Sequence, residues 1–359
     1  MKHLQLANIV SATLLCSLSG MAVADLTLSR NANRELNFYG FAKLDATYQT
    51  DETNSIVAPR FATGSDDGAM NLTAMHSRFG FKWTGPTLEN GYRAGAVLEF
   101  DLFDASSSNQ MKFRDRLAAF TLRRDSSTWL FGQHWDVFSP LNPTTLMTNG
   151  NLWNTGNLGF RRAQVRYSGT AGKQGIDWAA SVNDPSTGGT PAPNTESPIL
   201  EGRLGLRVRQ ASVGISAALG DDESSGDKES IAGLSVDWIV PFGNDLTIKG
   251  EAGMGENLAV FLSRSGVDQN VLAVWVELVQ TAAGSNDWWV GLGLENVDDV
   301  STGAEDTQLL FGGYQWKLAG AGGGSPVRLG VEAARFDTDL VGGGDESGIQ
   351  VIFSTQYTF

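Results

Sequence analysis

Residues 137–160 carry no charged side chain, and Arg161, Arg162 and Arg166 follow immediately. A guanidinium presents its donors in a rigid fork and holds a carboxylate through two parallel hydrogen bonds. The uncharged stretch adds neutral donors and acceptors, Asn142, Thr144, Thr145, Asn149, Asn151 and Asn154, while Trp135 and Trp153 offer flat apolar faces. This set suits the holding of an anion, an aromatic one included, better than bond making. Beyond residue 24 there are two histidines, His76 and His134, and no cysteine, so a zinc site is poorly supported. His76 lies beside Ser77, but neighbours on a strand point to opposite faces, which disfavours a direct His–Ser bond.

The flanking residues set the frame that must position these groups. Along residues 36–50, Leu36, Phe38, Gly40, Ala42, Leu44, Ala46 and Tyr48 share one face, and Asn37, Lys43, Asp45, Thr47 and Gln49 mostly fill the other. Alternation at period two marks a strand with one apolar and one wet face. It recurs over residues 75–83, 92–102, 163–167, 176–183, 200–209, 212–219, 246–254 and 327–335. Residues 116–122, 129–133, 270–279 and 288–294 are strand-like too, but their facing is ambiguous.

Ahead of the strands, Lys2 and His3, the mostly apolar residues 9–18 and Ala22-Val23-Ala24 are the parts of a secretory signal peptide, residues 1–24. Its apolar run is too short for a membrane helix. The single cysteine, Cys16, lies inside it behind Leu15, too bulky for a lipoprotein-type cut, so the mature chain is expected to be thiol-free. Of 26 basic and 40 acidic residues, the peptide removes only Lys2, leaving 25 against 40, a formal charge of −15. That balance argues against nucleic acid as a partner. Glycine, at 43 of 359 residues, is well above the usual ~7%. No run of 18 apolar residues follows the peptide, so a bilayer could be crossed only by a closed barrel, whose strands alternate lipid-facing and lumen-facing residues.

Connection lengths carry the architecture. Short links near residues 85–91, 124–128, 169–175, 209–210, 241–245, 282–286 and 318–326 alternate with long ones at 51–74, 103–112, 134–159, 184–197, 221–230, 255–267, 296–306 and 337–347. Seven short and eight long links join about sixteen strands, with short turns at one end and long loops at the other. Val351, Phe353, Thr355, Tyr357 and Phe359 share a face in the last strand, which resembles the segment that outer-membrane barrels present to their assembly machinery. The expected fold is all-β, a transmembrane antiparallel β-barrel over residues 25–359, with 25–35 a short periplasmic segment. A loop as long as residues 134–159 inside so regular a pattern is usually functional. Folded into the lumen, it and the arginines would form the narrow point of a pore.

On this strand plan, FYGFAKLDATYQT, HSRFGFKW, FGQHWDVFSPLNP and FRRAQVRYSG resemble the sixteen-stranded trimeric porins of bacterial outer membranes. Among these they resemble the DcaP-like group, associated with uptake of dicarboxylates and related aromatic acids. The resemblance spans essentially the mature chain through loose motifs. It implies a homotrimer set in outer-membrane lipid and lipopolysaccharide, no cofactor, small anionic solutes as cargo, and a third outer loop folded inward as the constriction. It also implies a basic ladder on the facing wall, where Lys43, Arg78, Arg116 and Arg162 occupy the corresponding places, with Arg166 and Arg203 as further pore cations. Cation-preferring porins put acids on the inward loop, whereas here only Asp136, at its start, is acidic. Residues 25–35 leave no room for the helical extension that some DcaP-like members carry.

A narrow passage walled by protein focuses the field of its lining charges, and rings of Arg or Lys favour anions. If the loop contributes only neutral groups such as Asn142, Thr144, Asn149 and Asn154, the arginines facing it are not offset, and Arg116, Arg162 and Arg166 can meet a carboxylate directly. A second reading stays open for each arginine, pairing with Glu99, Asp101, Asp115 or Glu201 inside the barrel; for Trp153 it is anchoring of the loop. Overall acidity does not oppose anion preference, because most acids, such as Asp51, Asp221, Asp298 and Asp345, fall in outer loops. The competing functions are a non-selective general porin, a barrel enzyme of the outer-membrane phospholipase or protease type, and an adhesin or structural barrel.

Overall fold

A computed structural model describes residues 26–31, 33–104, 106, 110–150, 152–171, 175–186, 197–222, 228–243, 245–261, 269–281, 286–298, 300, 303–319 and 325–359. The expected signal peptide and Asn151 lie outside them. The strands are β1 (Leu26–Asn31), β2 (Arg34–Gln49), β3 (Ala69–Thr73), β4 (Arg78–Thr87), β5 (Arg93–Asp101) and β6 (Arg114–Arg124). There follow β7 (Ser127–Trp135), β8 (Arg161–Ala171), β9 (Ile176–Asn183), β10 (Ile199–Val208), β11 (Ala211–Asp222) and β12 (Glu229–Phe242). The chain ends with β13 (Leu246–Glu256), a 3₁₀ turn (Leu258–Phe261), β14 (Asn270–Gln280), β15 (Asp287–Val297), β16 (Ala304–Leu318), β17 (Val327–Leu340) and β18 (Asp345–Thr358).

All pairings between these strands are antiparallel, and β18 closes on β2 from Gln350↔Gln49 to Thr358↔Phe41. Because β3 and β4 run one after the other along the same edge of β2, they form one stave, and the closed wall has sixteen. Residues 26–31, within the expected short periplasmic segment, form β1, a hairpin arm on the start of β2. Closure leaves no open strand edge in the wall, the condition for a sheet to cross lipid.

Alternation explains the two faces. On β10 and β11, Leu204, Leu206, Val213, Ile215 and Leu219 are exposed outward, a patch that water would not tolerate and a bilayer does. The facing of 270–279 and 288–294 was ambiguous for a physical reason. On β14 and β15 the inward residues Val271, Ala273, Trp275 and Trp289 are apolar as well, because they pack under inward-folded loops. Near the short turns, rings of Phe38 and Phe359 stack at 5.0 Å and those of Trp129 and Tyr167 at 4.4 Å, as in the aromatic girdles of membrane barrels.

Candidate functional site

The third long loop, residues 136–160, lies within the barrel, and none of its described residues is exposed. The wall seats it largely by its backbone. Glu201 on β10 accepts from the Val137 and Phe138 amides at 2.6 and 2.9 Å. Glu251 on β13 accepts from the Leu141 amide and the Ser139 hydroxyl, each at 2.7 Å. Glu277 on β14 takes the Thr144 amide at 2.8 Å and its hydroxyl at 2.7 Å. Glu332 on β17 takes the Leu146 amide at 2.9 Å and the Thr145 hydroxyl at 2.6 Å. All four carboxylates are buried. A buried carboxylate costs several kcal/mol unless its oxygens are satisfied, and buried loop amides need acceptors just as much. Each set answers the other, and the loop is held against the wall.

Other contacts fix its course. Lys249 bonds the Asn142 carbonyl at 2.9 Å and Lys43 the Leu146 carbonyl at 2.8 Å. Thr307 on β16 donates to the Asn154 carbonyl. At Gly156, where φ is +113°, a Cβ would stand 2.2 Å from the Val274 oxygen, and one on Gly293 would stand 2.0 Å from the Thr155 oxygen. Backbone touches backbone there, so both positions need glycine. Two apolar clusters fill the space between loop and wall: Leu141, Leu146 and Leu152 against Trp275, Trp289 and Phe311, and Phe138 and Leu158 against Ile199, Ile231 and Phe261. The strand residues of these clusters come from β10 to β18, and the charged residues of β2 to β8 lie outside them.

At the long-loop end of that wall, Arg114 grips both oxygens of Asp101 at 2.9 and 2.6 Å. Arg116 bonds Glu99 at 2.8 Å and Asp101 at 3.0 Å, and Arg78 lies 3.8 Å from Glu99. The loop reaches the same group through Asn149, whose side-chain oxygen accepts from Arg114 at 2.8 Å. Arg161 has Arg116, Arg114, Asp101 and Arg78 as its charged neighbours. Its guanidinium sits 4.9 Å from the Trp135 ring and 4.8 Å from that of Phe160, and its Nε and Nη1 are buried without hydrogen-bond partners. Among the described residues, the acids paired with or beside Arg78, Arg114, Arg116 and Arg161 are Glu99 and Asp101, four cations against two anions.

Several other inward cations are paired with acids. Lys43 bonds Asp45 at 2.6 Å, and Arg162 bonds Asp136 at 2.9 Å and the Val260 carbonyl at 2.8 Å. Burial pushes the Asp136 carboxyl above its ordinary value, against the pull of Arg162. Arg203 bonds Asp237 at 2.8 and 2.7 Å and also Asp177. Arg166 donates to the Trp135 carbonyl at 3.4 Å and lies 3.4 Å from His134 Nδ1.

Three expectations need correction. The arginines are not unopposed: Arg116 takes Glu99 and Asp101, Arg162 takes Asp136, and Arg203 takes two aspartates. Buried guanidinium needs a counter-ion, and inward acids on neighbouring strands supply it. Of the carboxylates weighed as partners, Asp115 instead accepts from Gln133 at 3.0 Å, and Glu201 serves the loop. Second, the loop's neutral groups do not line a passage as a set, since Thr144 and Thr145 donate to the wall and Asn154 accepts from Arg60 at 3.0 Å. Third, Trp153 is buried with its indole N–H on the Gly159 carbonyl at 2.9 Å, so it anchors the loop and has no free face for a solute. Lys43, Arg116, Arg162, Asp136, Asn142, Thr144, Asn149 and Asn154 lie on the loop or bonded to it, whereas Arg78 contacts Glu99 and the Phe41 ring on the wall and the hydrogen bonds of Arg203 go to β9 and β12. His76 Nδ1 lies 2.6 Å from Asp45 and Nε2 3.0 Å from the Val57 carbonyl, while Ser77 Oγ accepts from the Lys43 amide at 2.9 Å. No His–Ser bond forms.

Sequence reasoning missed Glu251, Glu277 and Glu332 as loop anchors, and Arg114 and Arg161 as members of the cationic group. A single acid inside an otherwise apolar strand, as at Glu277 in VWVELVQ, was the available signal.

A family model described as Gram-negative porin matches residues 11–348. No curated protein sequence matches significantly. Among solved structures, the outer membrane channel DcaP of Acinetobacter baumannii superposes with a TM-score of 0.76 at 19% identity, over 92% of this chain and 99% of that one. An anion-selective porin from Comamonas acidovorans gives 0.66 at 15% identity, over 91% and 100%. The trimer form of Vibrio cholerae OmpT gives 0.60 at 13%, over 91% and 100%. Such distant likenesses speak for the fold; the family match, spanning most of a chain that closes as a sixteen-stave barrel with an inward third loop, places this protein in the Gram-negative porin family.

Proposed function

We propose that the protein is an outer-membrane diffusion channel for small hydrophilic solutes that favours anions, dicarboxylates among them. The observation that carries the preference is the uneven charge at the long-loop end, where Arg78, Arg114, Arg116 and Arg161 outnumber Glu99 and Asp101 by two. The wall glutamates do not oppose it locally, because the loop's N–H and O–H groups cap them and seal them from water. The likeness to a porin described as anion-selective supports the same reading, as does the sequence resemblance to the DcaP-like group. A trimer in lipopolysaccharide-bearing membrane fits the OmpT likeness, and export by residues 1–24 fits the location. The pairing of Arg162 and Arg203 favours a second reading, a non-selective porin. The family and fold favour a channel over an enzyme.

The reversal potential of single channels in a KCl gradient separates these readings. An anion-preferring sign is expected, and Arg161→Gln should shrink it by about half as the excess falls from two charges to one. A cation-preferring wild-type potential overturns the proposal.

A further inference from the structure

The outer arginine group leaves one buried cation unexplained. Arg328, second residue of β17, lies at the short-turn end, on the other side of the tucked loop. It is 5% exposed. Its Nη1 donates to Gln315 at 3.2 Å, its Nε is buried without a hydrogen-bond partner, and among the described residues no carboxylate lies within salt-bridge distance of it. Arg328 lines a pocket beneath the loop, together with Thr148, Lys43, Asp287 and Trp289. The Thr148 hydroxyl is a second buried polar group there without a partner.

We propose that this pocket is a binding station for one carboxylate group of a solute leaving the constriction, with Arg328 as the charge that holds it and Thr148 as a neutral donor. The proposal rests on the anion-preferring reading above and adds a second site to it. The other charges in the pocket are already engaged: Lys43 with Asp45, and Asp287 with Lys317 at 2.7 Å. One net positive charge remains, which suits a single carboxylate and disfavours a dianionic phosphate facing Asp287. A buried guanidinium that no carboxylate touches is costly even with Asp287 elsewhere in the pocket, and an incoming carboxylate lowers that cost through a charge-assisted bond. The cavity volume, about 40 Å³, holds a few water-sized groups. It therefore admits the carboxylate head, while the rest of the solute stays in the vestibule beside the Trp289 ring.

The test uses the full protein in planar bilayers, with succinate added to one compartment and then the other while the KCl current is recorded. Saturable block is expected, stronger from the short-turn side. Arg328→Gln should weaken it about tenfold, equivalent to about 1.4 kcal/mol; Arg328→Lys should recover part of the loss, and Thr148→Val, which alters no charge, should weaken it about threefold. Heat-modified mobility on gels checks that each variant is a folded barrel. The wild-type experiment needs no variant: absence of sided, saturable block overturns the proposal, as does an Arg328→Gln channel with an unchanged block constant. The sign of the wild-type reversal potential judges the outer arginine group separately, so either site can fail alone.

Discussion

Replacing Glu251 by Ala tests whether wall carboxylates seat the inward loop. Glu251 accepts from the Leu141 amide at 2.7 Å, the Ser139 hydroxyl at 2.7 Å and the Trp275 indole at 3.1 Å. Each buried donor left without an acceptor costs about 1–3 kcal/mol, so the substitution removes about 3–9 kcal/mol of gross anchoring. Water entering the vacated space restores part of this, so the lower end, about 3 kcal/mol, is the working figure. That is roughly a hundredfold rise in the open fraction of the loop segment, with the other three glutamates still holding their ends. The strand ladder is untouched, so the heat-modifiable barrel should form normally. Single-channel recordings should show added current noise and a wider distribution of conductance, and thermolysin should cut between Phe138 and Leu146, where the wild type resists. A variant with wild-type noise and protease resistance would show that the apolar clusters hold the loop and the carboxylate ladder does not.

The cationic group and the close approaches give further expectations. Asp101→Asn removes one of two acids facing four arginines, so the reversal potential should move further in the anion direction; a move toward cations counts against the assignment. Gly156→Ala places a methyl 2.2 Å from the Val274 oxygen at a φ of +113°, and should disorder the loop as strongly as Glu251→Ala, read by the same noise and proteolysis assays. Phe359→Ala removes a ring stacked 5.0 Å from Phe38 while sparing the Gly40–Phe359 backbone bonds. The melting temperature of the folded gel band should fall by a few degrees, in line with about 1 kcal/mol for such a pair.

Much of the frame was legible because it depends on local pattern. The face of β2 that alternates Lys43, Asp45, Thr47 and Gln49 is buried inward, and Leu44 and Tyr48 are exposed outward, as period-two reading requires. Long and short connections likewise located the third loop to within two residues of its observed start. What could not be read was which charge meets which. Glu277 meets Thr144 across 133 residues of sequence and Glu332 meets Leu146 across 186, and no spacing rule links such positions. The same distance hid the pairing of Arg203 with Asp237. It also hid the fate of Trp153, whose indole turns back onto its own loop. Arg161 shows the reverse difficulty. In sequence it is one of three clustered arginines, and only the fold separates it from Arg162, which is bonded to Asp136.

A filter hung mainly by its peptide groups has freedom that one pinned by side chains lacks. Val137, Phe138, Leu141, Thr144 and Leu146 engage the wall through main-chain N–H, which nearly any residue supplies equally. Mutation can therefore change loop side chains such as Asn142 or Thr148 while the loop's course stays put, so the chemistry the loop presents can drift, or be engineered, faster than the scaffold that frames it.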